Sequence, residues 1–195
     1  LPNDPTYGGN IGNQHPGKYR VPQLEAAGLD PWVTPQAYNN WDDYFRTGVM
    51  SNTGVNVSRA TDGGSFSIGL GYTDQEGIAL NTGMTRYNAK ISASQKLSNH
   101  FNAGFSGNYS NTSIDKLTGA NDGSLAGVLS APLSYNLKGI PNHSIDKYSQ
   151  IYYRSLTFDN PYWVENNNTF NEKTTRFFGN TYVEYHSQID ETKEI

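Results

Sequence analysis

The sequence predicts an all-β fold: about five antiparallel strands of a transmembrane β-barrel, joined by long extracellular loops. Two observations carry this. Between Ser65 and Tyr109, three stretches alternate apolar with small polar residues at period two, the spacing that sends successive side chains to opposite faces of a strand. The connections run short, long, short, very long, as in outer-membrane barrels, whose periplasmic turns are tight and whose extracellular loops are long.

The first strand is expected over 53–60, where Val55 and Val57 alternate with Asn56 and Ser58. Thr61-Asp62-Gly63-Gly64 follows as a hairpin signal, because Asp-Gly and Gly-Gly accept the positive φ of primed turns. The second strand, 65–73, sets Phe66, Ile68, Leu70 and Tyr72 against Ser65, Ser67, Gly69 and Gly71. After a longer connection, the third, 86–97, sets Tyr87, Ala89, Ile91 and Ala93 against Asn88, Lys90, Ser92 and Ser94. Ser98-Asn99-His100 then leads into the fourth, 101–112, with Phe101, Ala103, Phe105 and Tyr109 on one face. A fifth strand is expected within 176–190; its alternation is less clean, since Phe178 and Tyr182 fall on the face that should be polar.

Four regions follow: an irregular outer stretch (1–52), two hairpins (53–112), a long outer loop (113–175) and the fifth strand (176–190). In the first, Pro2, Pro5, Pro16, Pro22, Pro31 and Pro35 interrupt any periodicity, leaving room for one helical turn near 23–27. In the third, 124–131 reads as a short helix ended by Pro132. This order places Asp62-Gly63 and Asn99 at the periplasmic rim.

Composition agrees with strands in a membrane. Only 35% of the residues are hydrophobic, yet 13% are aromatic, Tyr alone contributing 14, and Gly reaches 20; few aliphatics with many aromatics favour strands. No run approaches the roughly 20 apolar residues of a spanning helix. The low mean hydropathy is no objection, because half of each barrel strand is polar. A net charge of −4 with scattered charges gives no basic stripe for nucleic acid. The absence of cysteine excludes disulfides, thiolate zinc sites and thiol chemistry. No charged-then-apolar leader opens the chain, so the expectation is a processed chain or an internal piece. Five strands do not close a barrel. An open edge in hydrocarbon leaves backbone groups unsatisfied at several kcal/mol each, so a longer parent protein is expected.

Asp43-Tyr44-Phe45-Arg46-Thr47-Gly48, Val55-Asn56-Val57-Ser58, Gly69 to Ile78 (Gly-Leu-Gly-Tyr-Thr-Asp-Gln-Glu-Gly-Ile), Asn81-Thr82-Gly83 and Arg86-Tyr87-Asn88 occur in that order. Further on come Asp159-Asn160-Pro161-Tyr162-Trp163-Val164-Glu165-Asn166-Asn167 and Arg176-Phe177-Phe178-Gly179-Asn180. The ordered set, covering most of 41–187, resembles the SusC/RagA family of TonB-dependent outer-membrane transporters. The resemblance implies a 22-stranded barrel with an N-terminal plug in the bacterial outer membrane. It also implies import of a glycan, oligosaccharide or peptide driven by TonB, with a SusD-like surface lipoprotein capping the outer mouth. Plug and TonB-contacting segments have no counterpart here, so TonB would act through a part absent from this sequence.

The expected lipid-facing residues are Phe66, Ile68, Leu70, Tyr72, Tyr87, Ile91, Phe101, Phe105 and Tyr109, with Tyr72, Tyr87 and Tyr109 suited to an interfacial girdle. Asn88, Lys90 and Asn108 would line a hydrated lumen. In the outer loops, Trp32, Trp41, Tyr135, Tyr152, Tyr153 and Trp163 are candidates to stack on a ligand or a capping partner; packing against one another is the alternative. No catalytic, metal or cofactor residue is expected. His15, His100, His143 and His186 are far apart in sequence, with no paired metal spacing. Gly8-Gly9-Asn10-Ile11-Gly12 lacks the Lys-Ser/Thr of a phosphate loop. Asp42 and Asp43 would support a glycoside hydrolase only with a second, correctly spaced carboxylate. The rival reading is a soluble or surface β-sandwich that binds glycans, a glycan-binding or adhesin module, whose strands are usually shorter and whose turns alternate less regularly.

Overall fold

The computed structural model describes residues 15–117, 123–154 and 158–187. The glycines at 8, 9 and 12, Pro2, Pro5 and the expected strand end at 188–190 lie outside them. In chain order the elements are β1 (Tyr19–Arg20), α1 (Pro22–Ala26), β2 (Trp32–Val33), α2 (Asn40–Tyr44), β3 (Met50–Thr61), β4 (Gly64–Glu76), β5 (Gly83–Lys96), β6 (Phe101–Lys116), α3 (Ser124–Ser130), α4 (Pro161–Asn167) and β7 (Phe170–Tyr185). The chain is mostly β, and its helices are short. Two units share it: Leu1–Gly48, Gly77–Thr82 and Asp115–Phe170 form one, Val49–Glu76, Gly83–Ile114 and Asn171–Ile195 the other.

The second unit is a five-stranded antiparallel sheet in the order β3-β4-β5-β6-β7, with β3 and β7 as edges; it is not closed. Each strand extends past its run of clean alternation: β3 starts at Met50, β6 reaches Lys116 and β7 starts at Phe170. The added residues are mainly polar at both faces, so periodicity could not mark them. Register places Val55 opposite Leu70, Val57 opposite Ile68, and then Leu70 opposite Ala89, Ile68 opposite Ile91 and Tyr72 opposite Tyr87. Paired residues share a face. Consequently the other face receives Asn56 beside Gly69 and Gly69 beside Lys90.

Between β3 and β4, a two-residue turn forms at Asp62-Gly63 as expected, but neither residue takes a left-handed φ. It is Gly64, the first residue of β4, that must be glycine for space. A Cβ on Gly64 would lie 2.5 Å from the Ser94 carbonyl oxygen, and the Lys96 N–H reaches round the turn to the Gly63 carbonyl at 2.7 Å.

The first unit has its own small core of Val21, Tyr44, Ala79, Val128, Tyr135, Leu137, Ile140 and Tyr153. At its centre Asn40 is buried and fully used: its Nδ2 donates to the Tyr135 carbonyl (2.8 Å) and the Pro132 carbonyl (3.2 Å), and its Oδ1 accepts from the Leu137 N–H (3.0 Å). One side chain thus stands in for strand pairing in a segment without regular structure. The described part of the first stretch, 15–52, is therefore less irregular than its prolines suggest. Pro22 opens α1 at a position that needs no N–H, and the Asn39 side chain caps α2 by accepting from the Asp42 N–H. Likewise the 113–175 stretch holds α4 as well as α3. Asn160 caps α4 by accepting from the Tyr162 N–H at 3.0 Å, with Pro161 in its first turn.

Two glycine contacts predict opposite outcomes. A Cβ on Gly179 would collide with the Ser106 carbonyl oxygen and lie 3.2 Å from Gly107 Cα, whereas one on Gly54 meets only Leu70 O at 3.5 Å. Gly179→Ala should therefore destabilise the sheet by about 1–3 kcal/mol, and Gly54→Ala should leave it within about 0.5 kcal/mol of the parent. Denaturant unfolding of the two variants reads the difference.

Candidate functional site

The sheet presents two chemically opposite faces. On one, Phe66, Ile68, Leu70, Tyr72, Tyr87, Ile91, Phe101, Phe105 and Tyr109 are all exposed, Leu70 at 59%. Val55, Val57, Phe177, Val183 and Tyr185 extend the same face to both edge strands. Aromatic pairs mark its limits. Tyr72 and Tyr87 meet at a 4.9 Å centroid distance near the β4–β5 connection, and Phe101 meets Tyr185 at 5.1 Å near the β5–β6 turn. Beyond the Tyr72–Tyr87 pair the face turns polar, with Asp74 opposite Thr85.

The opposite face is built from Asn, Ser, Thr and Gly with a few cations. A Cβ on Gly71 would lie 2.6 Å from the Asn88 side-chain amide, so glycine on β4 makes room for a larger polar group on β5. Arg86 Nε donates to Thr112 Oγ1 at 3.2 Å, Asn111 Nδ2 donates to Thr175 Oγ1 at 2.8 Å on the apolar side, and Ser106 donates to Asn180. A groove of ≈ 580 Å³ lies along the polar face of β5, β6 and β7, lined by Arg86, Asn88, Lys90, Asn108, Thr112, Arg176 and Phe178 among others. It includes all three expected lumen residues.

The two aromatics that break the alternation of β7 have distinct positions. Tyr182 lies across Gly104, where a Cβ would come within 2.6 Å of its ring, so an aromatic covers backbone that a glycine leaves bare. Phe178 lines the groove.

The loop aromatics do not form one site. Tyr135 and Tyr153 are buried and pack edge-on at 5.2 Å, which corrects their candidacy as ligand contacts: they are core residues, and Tyr153 Oη donates to the Ser130 carbonyl at 2.7 Å. Trp163 is part-buried, its Nε1 donating to the Lys147 carbonyl at 2.7 Å. Trp32 stacks on His15 at 4.2 Å. Tyr152 is part-buried, and Trp41 is exposed beside Phe45, with centroids 4.6 Å apart. A groove in the same unit, ≈ 500 Å³, is lined instead by Leu29, Lys138, Ile140, His143 and Tyr162.

Two groupings were invisible in the sequence. His100 and His186, 86 residues apart, meet across β6 and the end of β7: the His186 N–H donates to the His100 carbonyl at 2.8 Å, and His100 Nδ1 lies 3.1 Å from the His186 carbonyl. Among the described residues no three metal-ligating side chains cluster. The second grouping centres on Glu165, buried in the first unit. Its carboxylate accepts from Ser124 Oγ and from Tyr44 Oη at 3.3 Å, and its main-chain carbonyl accepts from Asn81 Nδ2 at 2.7 Å. Burial pushes the Glu165 carboxyl above its usual range, and the two hydroxyl donors oppose that shift. Burial and the Glu165 charge push Tyr44 up as well; Tyr162, part-buried and near Asp43, rises to about 12. Of the two expected loop acids, Asp42 pairs with Asn39 (2.5 Å) and Asp43 faces Lys138 (3.8 Å).

Comparison of the sequence with protein-family models and with curated proteins finds no match.

The raised Glu165 carboxyl sets a pH dependence. Above the unfolded value, 4.5, the unfolded chain loses this proton before the folded one does. Stability should therefore fall as pH rises from there through the folded value, then level off. Glu165→Gln keeps the acceptor oxygen and removes the charge. Thermal melts across pH 4 to 8 should show that decline in the parent protein and its loss in the variant.

Proposed function

We propose that the sheet is a section of the wall of a β-barrel in the bacterial outer membrane. The chain is then part of a TonB-dependent importer of bulky nutrients, glycans or peptides, of the SusC/RagA kind. The observation that carries this reading is the uncovered apolar band bounded by aromatic pairs, backed by a polar face.

Length supports it. β5 as a whole, Gly83–Lys96, is about 43 Å of strand, which at a tilt of about 45° spans about 30 Å, enough to cross the roughly 25 Å apolar belt of an outer-membrane barrel. Energetics point the same way. Each large apolar side chain left in water forgoes about 1.5–3 kcal/mol of burial, and more than a dozen stand on this face. Lipid supplies that burial without a second protein layer. A β-sandwich would need such a layer, and none covers the band among the described residues.

On this reading β3 and β7 pair with further strands that complete the wall. The β3–β4 and β5–β6 turns face the periplasm. The segments before β3, between β4 and β5 and between β6 and β7 would then be extracellular loops. There they would meet substrate and a SusD-like lipoprotein. Transport would proceed by capture and by plug movement driven through TonB, and no residue here is assigned a bond-breaking role.

Extraction and electrophoresis test the proposal. The protein should leave membranes only with detergent and migrate faster unheated than boiled on a denaturing gel; detergent-free recovery as a monomer would overturn it. Leu70→Arg, in the middle of the band, should cost about 2–4 kcal/mol of folding in lipid. Ser67→Arg, on the polar face, should cost far less.

A further inference from the structure

We infer that the groove on the polar face of β5, β6 and β7 is a binding site for an anionic oligosaccharide, a substrate class that deepens the importer reading and rests on it. The chain as a whole is acidic, with 18 carboxylates against 14 lysines and arginines. Yet Arg86, Lys90 and Arg176 line one groove that has no carboxylate in its lining. Arg86 spends its Nε on a neutral hydroxyl, Thr112 Oγ1, and makes only a long contact, 3.7 Å, to the Met84 sulfur with a second nitrogen. Lys90 and Arg176 have no ionic partner among the described residues. Three like charges on one surface repel each other, and a bound anion relieves that repulsion.

The remaining lining decides the kind of anion. Asn88, Asn108, Ser110 and Thr174 present amides and hydroxyls that match the hydroxyls of a sugar. Guanidinium groups suit the carboxylate or sulfate of an acidic residue. Phe178, the one aromatic of β7 that lines this groove, offers a flat surface for the apolar side of a pyranose ring. A peptide would ask for apolar side-chain pockets or a free strand edge. This groove has one aliphatic residue directed along its face, Ile114, and lies on the interior strands and the inner side of β7.

The test is calorimetric titration of the whole chain in detergent micelles with tetragalacturonate, a sulfated oligosaccharide of equal length, a neutral maltodextrin and tetraglutamate. An acidic sugar, carboxylated or sulfated, should bind, weakening as salt rises from 50 to 200 mM; which of the two is preferred identifies the acidic group. Arg176→Gln and Lys90→Gln should each weaken it about tenfold or more, and Arg176→Lys should restore part of the loss. Arg59→Gln, which removes the same charge from the opposite face, should leave binding unchanged. Equal binding of maltodextrin, equal or tighter binding of tetraglutamate, equal loss in Arg59→Gln, or no binding of either acidic sugar would each overturn the inference. Failure of the wall reading shows separately. A chain that stays monomeric without detergent yet binds the acidic sugar loses the membrane assignment and keeps the groove, while a detergent-dependent chain that does not bind loses only the groove.

Discussion

The second unit depends on one constraint: a single sheet whose two faces are chemically opposite, with no protein layer over the apolar one among the described residues. Because side-chain direction alternates strictly along a strand, each residue is committed to one face or the other, and register carries the commitment from strand to strand. Val57, Ile68 and Ile91 fall in one row; Asn56, Gly69 and Lys90 fall in the row behind it. A slip of one residue anywhere would put lysine and asparagine among the phenylalanines.

Glycine placement follows from the same constraint. On the polar face, Gly71 yields to Asn88 and Gly104 yields to the Tyr182 ring, so large polar or amphipathic groups lie flat over their neighbours. The first unit solves a different problem. With few aliphatic residues, it holds irregular chain together through buried hydrogen bonds at Asn40 and Glu165 and through packed tyrosines.

These two strategies explain what could be read from sequence. The strands were legible because period two is a local signal: Phe66 to Tyr72 announces its own faces without reference to the rest of the chain. The turn at Asp62-Gly63 was legible in place but not in cause, since the crowding at Gly64 comes from Ser94 and Gln95 on a neighbouring strand. The first unit was mostly illegible. Asn40 bonds residues more than ninety positions away, and nothing nearby in sequence distinguishes it from Asn39. Tyr135 and Tyr153 were read as loop aromatics and lie in the core for the same reason. Helix α4 was the exception, for its Asn160-Pro161 start is a local signal that was present to be read. At the groove, Asn88, Lys90 and Asn108 were expected on the polar face. The convergence of Arg86 and Arg176 depends on which strands lie side by side, which alternation does not specify.

The most direct test of the two-solvent account uses the absence of native cysteine. Single substitutions Ser67→Cys, Ile68→Cys, Gly69→Cys and Leu70→Cys would be spin-labelled in the protein assembled in outer-membrane vesicles, and their accessibility to oxygen and to a water-soluble nickel chelate measured. The account predicts a period of two: positions 68 and 70 relax with lipid-dissolved oxygen, and 67 and 69 with the chelate. Equal chelate accessibility at all four positions would contradict it.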